Sequence, residues 1–314
     1  MNIYFSDPFL IHEMTPSVLV PAIVTPDVRY LKSADGTVVY AEAVGDPSDP
    51  QIIFLHGFSL STIVFDSIFY DPRYAKQFYL VRYDMRGHGR SGKPQASGAY
   101  ASEKFAQDFS AVAQAYGLRR PVFVGWSLGA TVIADIAAYL PPQSISGAVY
   151  LSALPYTSMV TRVVPKPVLE TIRRFHRKDD AASFVSAKMP FINGCFAQAD
   201  QVPAELRCLW AGGTLASTPH DLESAFNRPQ DPTALLEIAQ KGLLPLLVLH
   251  GDSDAIIEAK SLVREVEAMA WKGASIVLLE GVGHAPFYES TESVMTHIGE
   301  LAKRVQAGRH AAKL

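Results

Sequence analysis

Two patterns of apolar and polar residues alternate along this chain. Short apolar runs occur at 37–44 (TVVYAEAV), 51–55 (QIIFL), 78–84 (FYLVRYD), 121–125 (PVFVG), 147–153 (GAVYLSA), 243–250 (LLPLLVLH) and 275–280 (SIVLLE). Runs of this kind, bounded by Gly, Pro and Asp, predict buried strands. The Gly-Asp-Pro turn at 45–47 predicts that the first two pair as neighbours. Between the runs, apolar residues recur three and four apart. At 102–116 they fall on Phe105, Phe109, Val112 and Tyr116, with Ser102 expected as N-cap and Gly117 as the stop. Further helices are expected at 129–139, ended by Pro141-Pro142, at 258–271 and at 291–306.

Apolar strands alternating with helices indicate a mostly parallel sheet with helices on both faces. The alternation fails from about 155 to 230. Short helical pieces at 167–177, 180–188, 203–210 and 219–226 stand there between Pro and Gly. One α/β core (1–154 and 231–314) carrying a helical insertion (155–230) fits better than two tandem domains. A unit of roughly 250 residues can be a single domain.

Composition narrows the partners. The chain has 314 residues, 48% hydrophobic and 19% charged, with net charge −3, which suits a globular protein with a large core. No basic stripe argues for nucleic acid, and no apolar run approaches the roughly 18 residues that span a membrane. The first 26 residues carry Asp7, His12 and Glu13 and lack a basic start, so no secretory signal is expected. Cys195 and Cys208 make neither a disulfide framework nor a metal cluster; both are expected as buried small side chains in a reducing compartment. The terminal Ala312-Lys313-Leu314 is a conservative variant of the S-K-L peroxisomal address. A peroxisomal location is therefore one expectation and a cytoplasmic one the alternative. The oligomeric state leaves no trace in the sequence.

The chemistry begins at VFVGWSLGA (122–130). G-x-S-x-G between a strand and a helix puts Ser127 on a sharp turn as a candidate nucleophile. A serine hydroxyl needs a base, a group orienting that base, and donors for the oxyanion. Of nine histidines, His284 in EGVGHAPF lies in a loop between the last strand and the last helix, at the edge where Ser127 stands. His250 ends a strand before a Gly. For the acid, HGDSDAII offers Asp254, at G-x-x-D spacing from Gly251, and Asp252, which could instead close the turn. Glu280, at a strand end, is a weaker alternative. GHGRSG (87–92) matches G-x-G-x-x-G, but Lys93-Pro94 follow where a dinucleotide site needs a helix to open. It is expected to be a structural turn, with Asp84 and Arg86 bracing loops. No metal or other cofactor is expected, and the expected partner is a small-molecule substrate.

Taken together, FLHGF (54–58), YDMRGHGRSG (83–92), VGWSLGA (124–130), LHGDSDAII (249–257) and GVGHAPF (281–287) resemble the α/β-hydrolase superfamily, within its small esterase, haloperoxidase-like and C–C hydrolase group. The resemblance covers about 37–306. It implies an eight-stranded, mostly parallel sheet with a helical cap inserted after the sixth strand. It also implies that His56-Gly57 shapes the loop after the third strand, and that backbone N–H groups of Phe58 and Leu128 form an oxyanion hole. Trp126 could line the substrate pocket or pack under the turn. Phe191, Phe196, Trp210 and Phe226 could form an apolar pocket or merely the core of the cap. The expected reaction is hydrolysis of an ester, lactone or thioester through an acyl-enzyme on Ser127. C–C hydrolysis of a dicarbonyl compound is the neighbouring alternative, and a triad-bearing ligand receptor the alternative from another class.

Overall fold

A computed structural model describes residues 24–311. Residues 1–23 and the terminal Ala-Lys-Leu lie outside the described residues, and with them the leader and address expectations.

Strands β1 (Asp27–Lys32), β2 (Val38–Val44), β3 (Gln51–Leu55), β4 (Tyr79–Tyr83), β5 (Val122–Trp126), β6 (Gly147–Leu151), β7 (Leu246–Gly251) and β8 (Ser275–Leu279) form one sheet. Their order is β1-β2-β4-β3-β5-β6-β7-β8. β2 pairs antiparallel with both β1 and β4; the remaining pairs are parallel. β4, β5 and β6 are buried along their whole length, which is why they read as unbroken apolar runs.

The expected β2–β3 pairing does not form. β4 lies between them, with Val81 opposite Ala43 on one side and Ile53 on the other. A strand buried on both faces must satisfy its backbone groups on both edges, and the central slot does this. β1 carried no sequence signal because this edge strand leaves Val28 and Tyr30 exposed.

Adjacent strand residues point to opposite faces, and the helices use both. Phe123 of β5 meets Phe109 of α1 (Ser102–Ala115), 5.7 Å between ring centres. Its neighbour Val122 is in register with Gly147, where a Cβ would touch Leu301 of α10 (Thr291–Ala311) at 3.4 Å. Beside α1 packs α2 (Val132–Tyr139), which follows the Ser127 turn. Ser102 is not the N-cap of α1. Ala101 takes that position, and the Ser102 hydroxyl donates to Pro229 O at 2.8 Å.

Between β6 and β7 run α3 (Lys166–Phe175), α4 (Ala181–Ser186), α5 (Lys188–Gly194), α6 (Ala204–Gly213) and α7 (Pro219–Phe226). α7 starts with a capping box, Thr218 with Asp221, and Pro219 in its first turn. The chain then returns through Arg228 and Gln230 to α8 (Thr233–Lys241), which packs beside α2. α9 (Ala259–Ala268) links β7 to β8. Of the two cysteines, Cys195 is buried but Cys208 is exposed, correcting the expectation for the latter.

GHGRSG is a turn. Asp84 accepts from Thr62 N and Arg90 N, both at 2.7 Å. A Cβ on Gly89 would fall 2.2 Å from Asp84 Oδ2, so this close approach requires glycine. Arg86 donates to Asp108 and Asp35.

Candidate active site

β5 delivers Ser127 at φ 52°, in the left-handed region that side chains avoid. Two glycines permit the turn. A Cβ on Gly125 would lie 2.3 Å from Ala130 Cα, and one on Gly129 would lie 2.4 Å from His56 O. Leu154 N donates to Ser127 O at 3.0 Å, and Thr131 Oγ1 donates to Leu128 O at 2.6 Å. The constrained backbone aims the side chain off the sheet edge.

The candidate acid follows β7. Asp254 Oδ1 accepts from Ile256 N at 2.8 Å and Ile257 N at 2.9 Å; Oδ2 lies 2.8 Å from His284 Nδ1. Burial pushes the Asp254 pKa up, but His284, His250 and the Ile257 N–H outweigh it and hold the carboxyl below its ordinary value. Asp252 is exposed and closes the neighbouring turn, accepting from Gly281 N at 2.8 Å. Glu280 is exposed. A carboxylate only accepts hydrogen bonds, so His284 carries its proton on Nδ1 and keeps a lone pair on Nε2.

His284 is 1% exposed, and three contacts fix its loop. Trp126 Nε1 donates to His284 O at 2.7 Å, with the two rings 5.4 Å apart. Ala285 N donates to Cys195 O at 2.9 Å. Glu289 accepts from Gly283 N at 2.8 Å and from Ala197 N at 2.9 Å, tying the loop to the insertion. Burial raises the Glu289 pKa. The structure thus joins Asp254 to His284 directly. Ser127 is joined to them through its neighbour Trp126, and its hydroxyl forms no hydrogen bond among the described residues.

Met85 N donates to His56 Nε2 at 3.0 Å, so His56 Nδ1 carries the proton and donates to Gly57 O at 2.8 Å. Burial lowers the His56 pKa and keeps the ring neutral. The loop bends close over the serine: a Cβ on Gly57 would lie 3.0 Å from Ser127 Cβ. Phe58 follows, with its ring among those of Phe175, His176, Phe191 and Phe226. Trp126, Trp210, Phe196 and Phe191 are all buried. Trp126 packs on Phe287 and Trp210, and Trp210 on Phe196.

Two neighbours of the site were not assigned a part in it from sequence. His250 Nε2 lies 3.3 Å from Asp254 Oδ2 and 3.0 Å from Ile257 O. Glu289 acts through backbone N–H groups and leaves no spacing motif. Among the described residues, no cluster of His, Cys, Asp and Glu could hold a metal ion. None of the described helices is long and apolar enough to cross a membrane.

Residues 52–295 match the model of the alpha/beta hydrolase family. The chain belongs to this family. This α/β hydrolase is 28% identical over 242 residues to a bifunctional esterase/perhydrolase of Acinetobacter calcoaceticus, covering 73% of this chain and 83% of the relative. It is also 28% identical over 239 residues to a non-heme chloroperoxidase of Burkholderia pyrrocinia, with the same coverage of 73% and 83%. Its fold superposes with TM-score 0.80 and 28% identity on a crystal structure assigned as an aryl esterase of Burkholderia cenocepacia, covering 89% of this chain and 99% of that one.

Proposed function

We propose that this α/β hydrolase cleaves a carboxylic ester, lactone or thioester of a small, mainly apolar substrate, with Ser127 as nucleophile. The observation carrying this reading is the 2.8 Å Asp254–His284 hydrogen bond at the edge where Ser127 holds its strained φ of 52°. Esterases among the similar proteins support the bond type.

Ser127 Oγ attacks the carbonyl carbon while His284 Nε2 takes its proton. Asp254 keeps the Nδ1–H tautomer and stabilises the imidazolium without taking the proton. Backbone N–H groups of Phe58 and Leu128 receive the oxyanion. Collapse of the tetrahedral species expels the alcohol or thiol, protonated by His284, and leaves an acyl-serine. Water, deprotonated by His284, then releases the acid. If hydrogen peroxide takes the place of that water, the product is a peracid, a chemistry in keeping with the perhydrolase relative. Residues 155–230 act as the cap that selects the acyl group.

Labelling with a fluorophosphonate probe and turnover of an aryl ester test the assignment. Ser127→Ala is expected to lose the label and nearly all turnover, with unchanged circular dichroism. Retained turnover would reject Ser127 as the nucleophile.

A further inference from the structure

Phe58 follows Gly57, on which a Cβ would lie 3.0 Å from Ser127 Cβ, and its ring meets four rings of the insertion. Centroid distances are 5.4 Å to Phe175, 5.9 Å to His176, 5.8 Å to Phe191 and 5.3 Å to Phe226. His176 is the polar member of this cage. Its Nε2 is buried and has no hydrogen-bond partner, an arrangement that costs free energy unless a ligand supplies the partner. Burial lowers the His176 pKa, so the ring is neutral near pH 7. His176 and Phe226 also line a cavity of about 200 Å³ whose walls include Leu169 and Ile172. The same two residues therefore touch both the cavity and the Phe58 ring. Arg173 reaches this cavity as well, but it is exposed and its charge is solvated.

We propose that the cavity takes the distal part of the substrate's acyl chain, and that His176 selects chains carrying a neutral hydrogen-bonding oxygen, such as a hydroxyl, where they pass the ring cage. This rests on the assignment of Ser127 as nucleophile. A charged group among four aromatic rings would lack a counter-ion, which favours a neutral one. A hydroxyl both donates and accepts, so it satisfies Nε2 in either tautomer. A site that hydrogen-bonds a substrate oxygen also discriminates against the analogue lacking it. His176 is thereby a specificity-determining residue.

The test compares nitrophenyl octanoate with its monohydroxylated isomers, the hydroxyl moved carbon by carbon along the chain. Wild-type protein is expected to favour one isomer over octanoate by roughly tenfold in kcat/KM, the effect of about one hydrogen bond. His176→Phe, which keeps the cage aromatic, is expected to erase that preference while still hydrolysing octanoate. His176→Gln is expected to restore part of it. His176→Leu carries the same comparison should His176→Phe not fold. A wild type without preference, or a preference that survives in the Phe and Leu variants, overturns the proposal. The two assignments fail differently. Octanoate turnover surviving in Ser127→Ala overturns the nucleophile, whereas Ser127-dependent turnover with no isomer preferred overturns the role of His176 alone.

Discussion

Asp254 divides its two oxygens between two tasks. Oδ1 holds the turn through Ile256 and Ile257 N–H, and Oδ2 holds His284. The G-x-x-D spacing from Gly251 favours Asp254 over Asp252, with Glu280 weaker, but spacing alone does not show which carboxylate meets the histidine until the His loop is in place. Asp254→Asn is expected to impose the wrong His284 tautomer and lower kcat by about 10⁴, read as ester turnover at unchanged circular dichroism; a drop under tenfold would remove Asp254 from this role. Lys188 shows another residue-scale effect. Its Nζ donates to Thr214 O at 3.0 Å and sits 3.8 Å from the centre of the Phe184 ring. Burial lowers its pKa to about 8. Between that value and the unfolded value of about 10.4, the unfolded chain binds more protons than the folded one, so stability from this group rises with pH. Urea midpoints of wild type and Lys188→Met, compared at the two ends of this window, should show a rise specific to the wild type; parallel behaviour would mean that the ammonium is not strained.

At the scale of elements, the return of the insertion is bolted to the helix that follows the Ser127 turn. Arg228 donates to Thr131 Oγ1 at 2.6 Å and to Asp135 at 2.8 Å, and Gln230 donates to Asp135 at 2.6 Å. Both members of the Arg228–Asp135 pair are fully buried. Removing one partner leaves the other charge uncompensated, so Arg228→Ala is expected to cost about 3–5 kcal/mol in urea unfolding. A cost under about 1 kcal/mol would mean that water replaces the guanidinium. Neither residue carried a signal in sequence, since partners on separate elements meet only after folding. The motif segments were legible because each sits on a strand end and its local turn: β5 before Ser127, β7 before Asp254, β8 before His284. β1 was not, because its half-exposed face lacks an apolar pattern.

At the scale of the molecule, one apolar cluster of the described residues runs without a break from the sheet, through Phe54 and Val124, into the insertion at Phe175, Phe191 and Trp210. The insertion shares that core, so near-UV and far-UV circular dichroism are expected to change together in a single urea transition. An earlier near-UV transition would identify the insertion as a separate cooperative unit. The parallel α/β class was legible from the alternation of runs. The placing of β4 between β2 and β3 was not, because a local turn signal carries no information about a strand that arrives later. The contact between Trp126 and the His284 loop has an optical consequence. The chain has three tryptophans; Trp126 stands beside His284, and Trp210 lies 6.2 Å from Trp126. Two of the three intrinsic fluorophores of this kind therefore report on the candidate site, so ligand arrival or loosening of the loop is expected to change the protein's own emission without an attached dye.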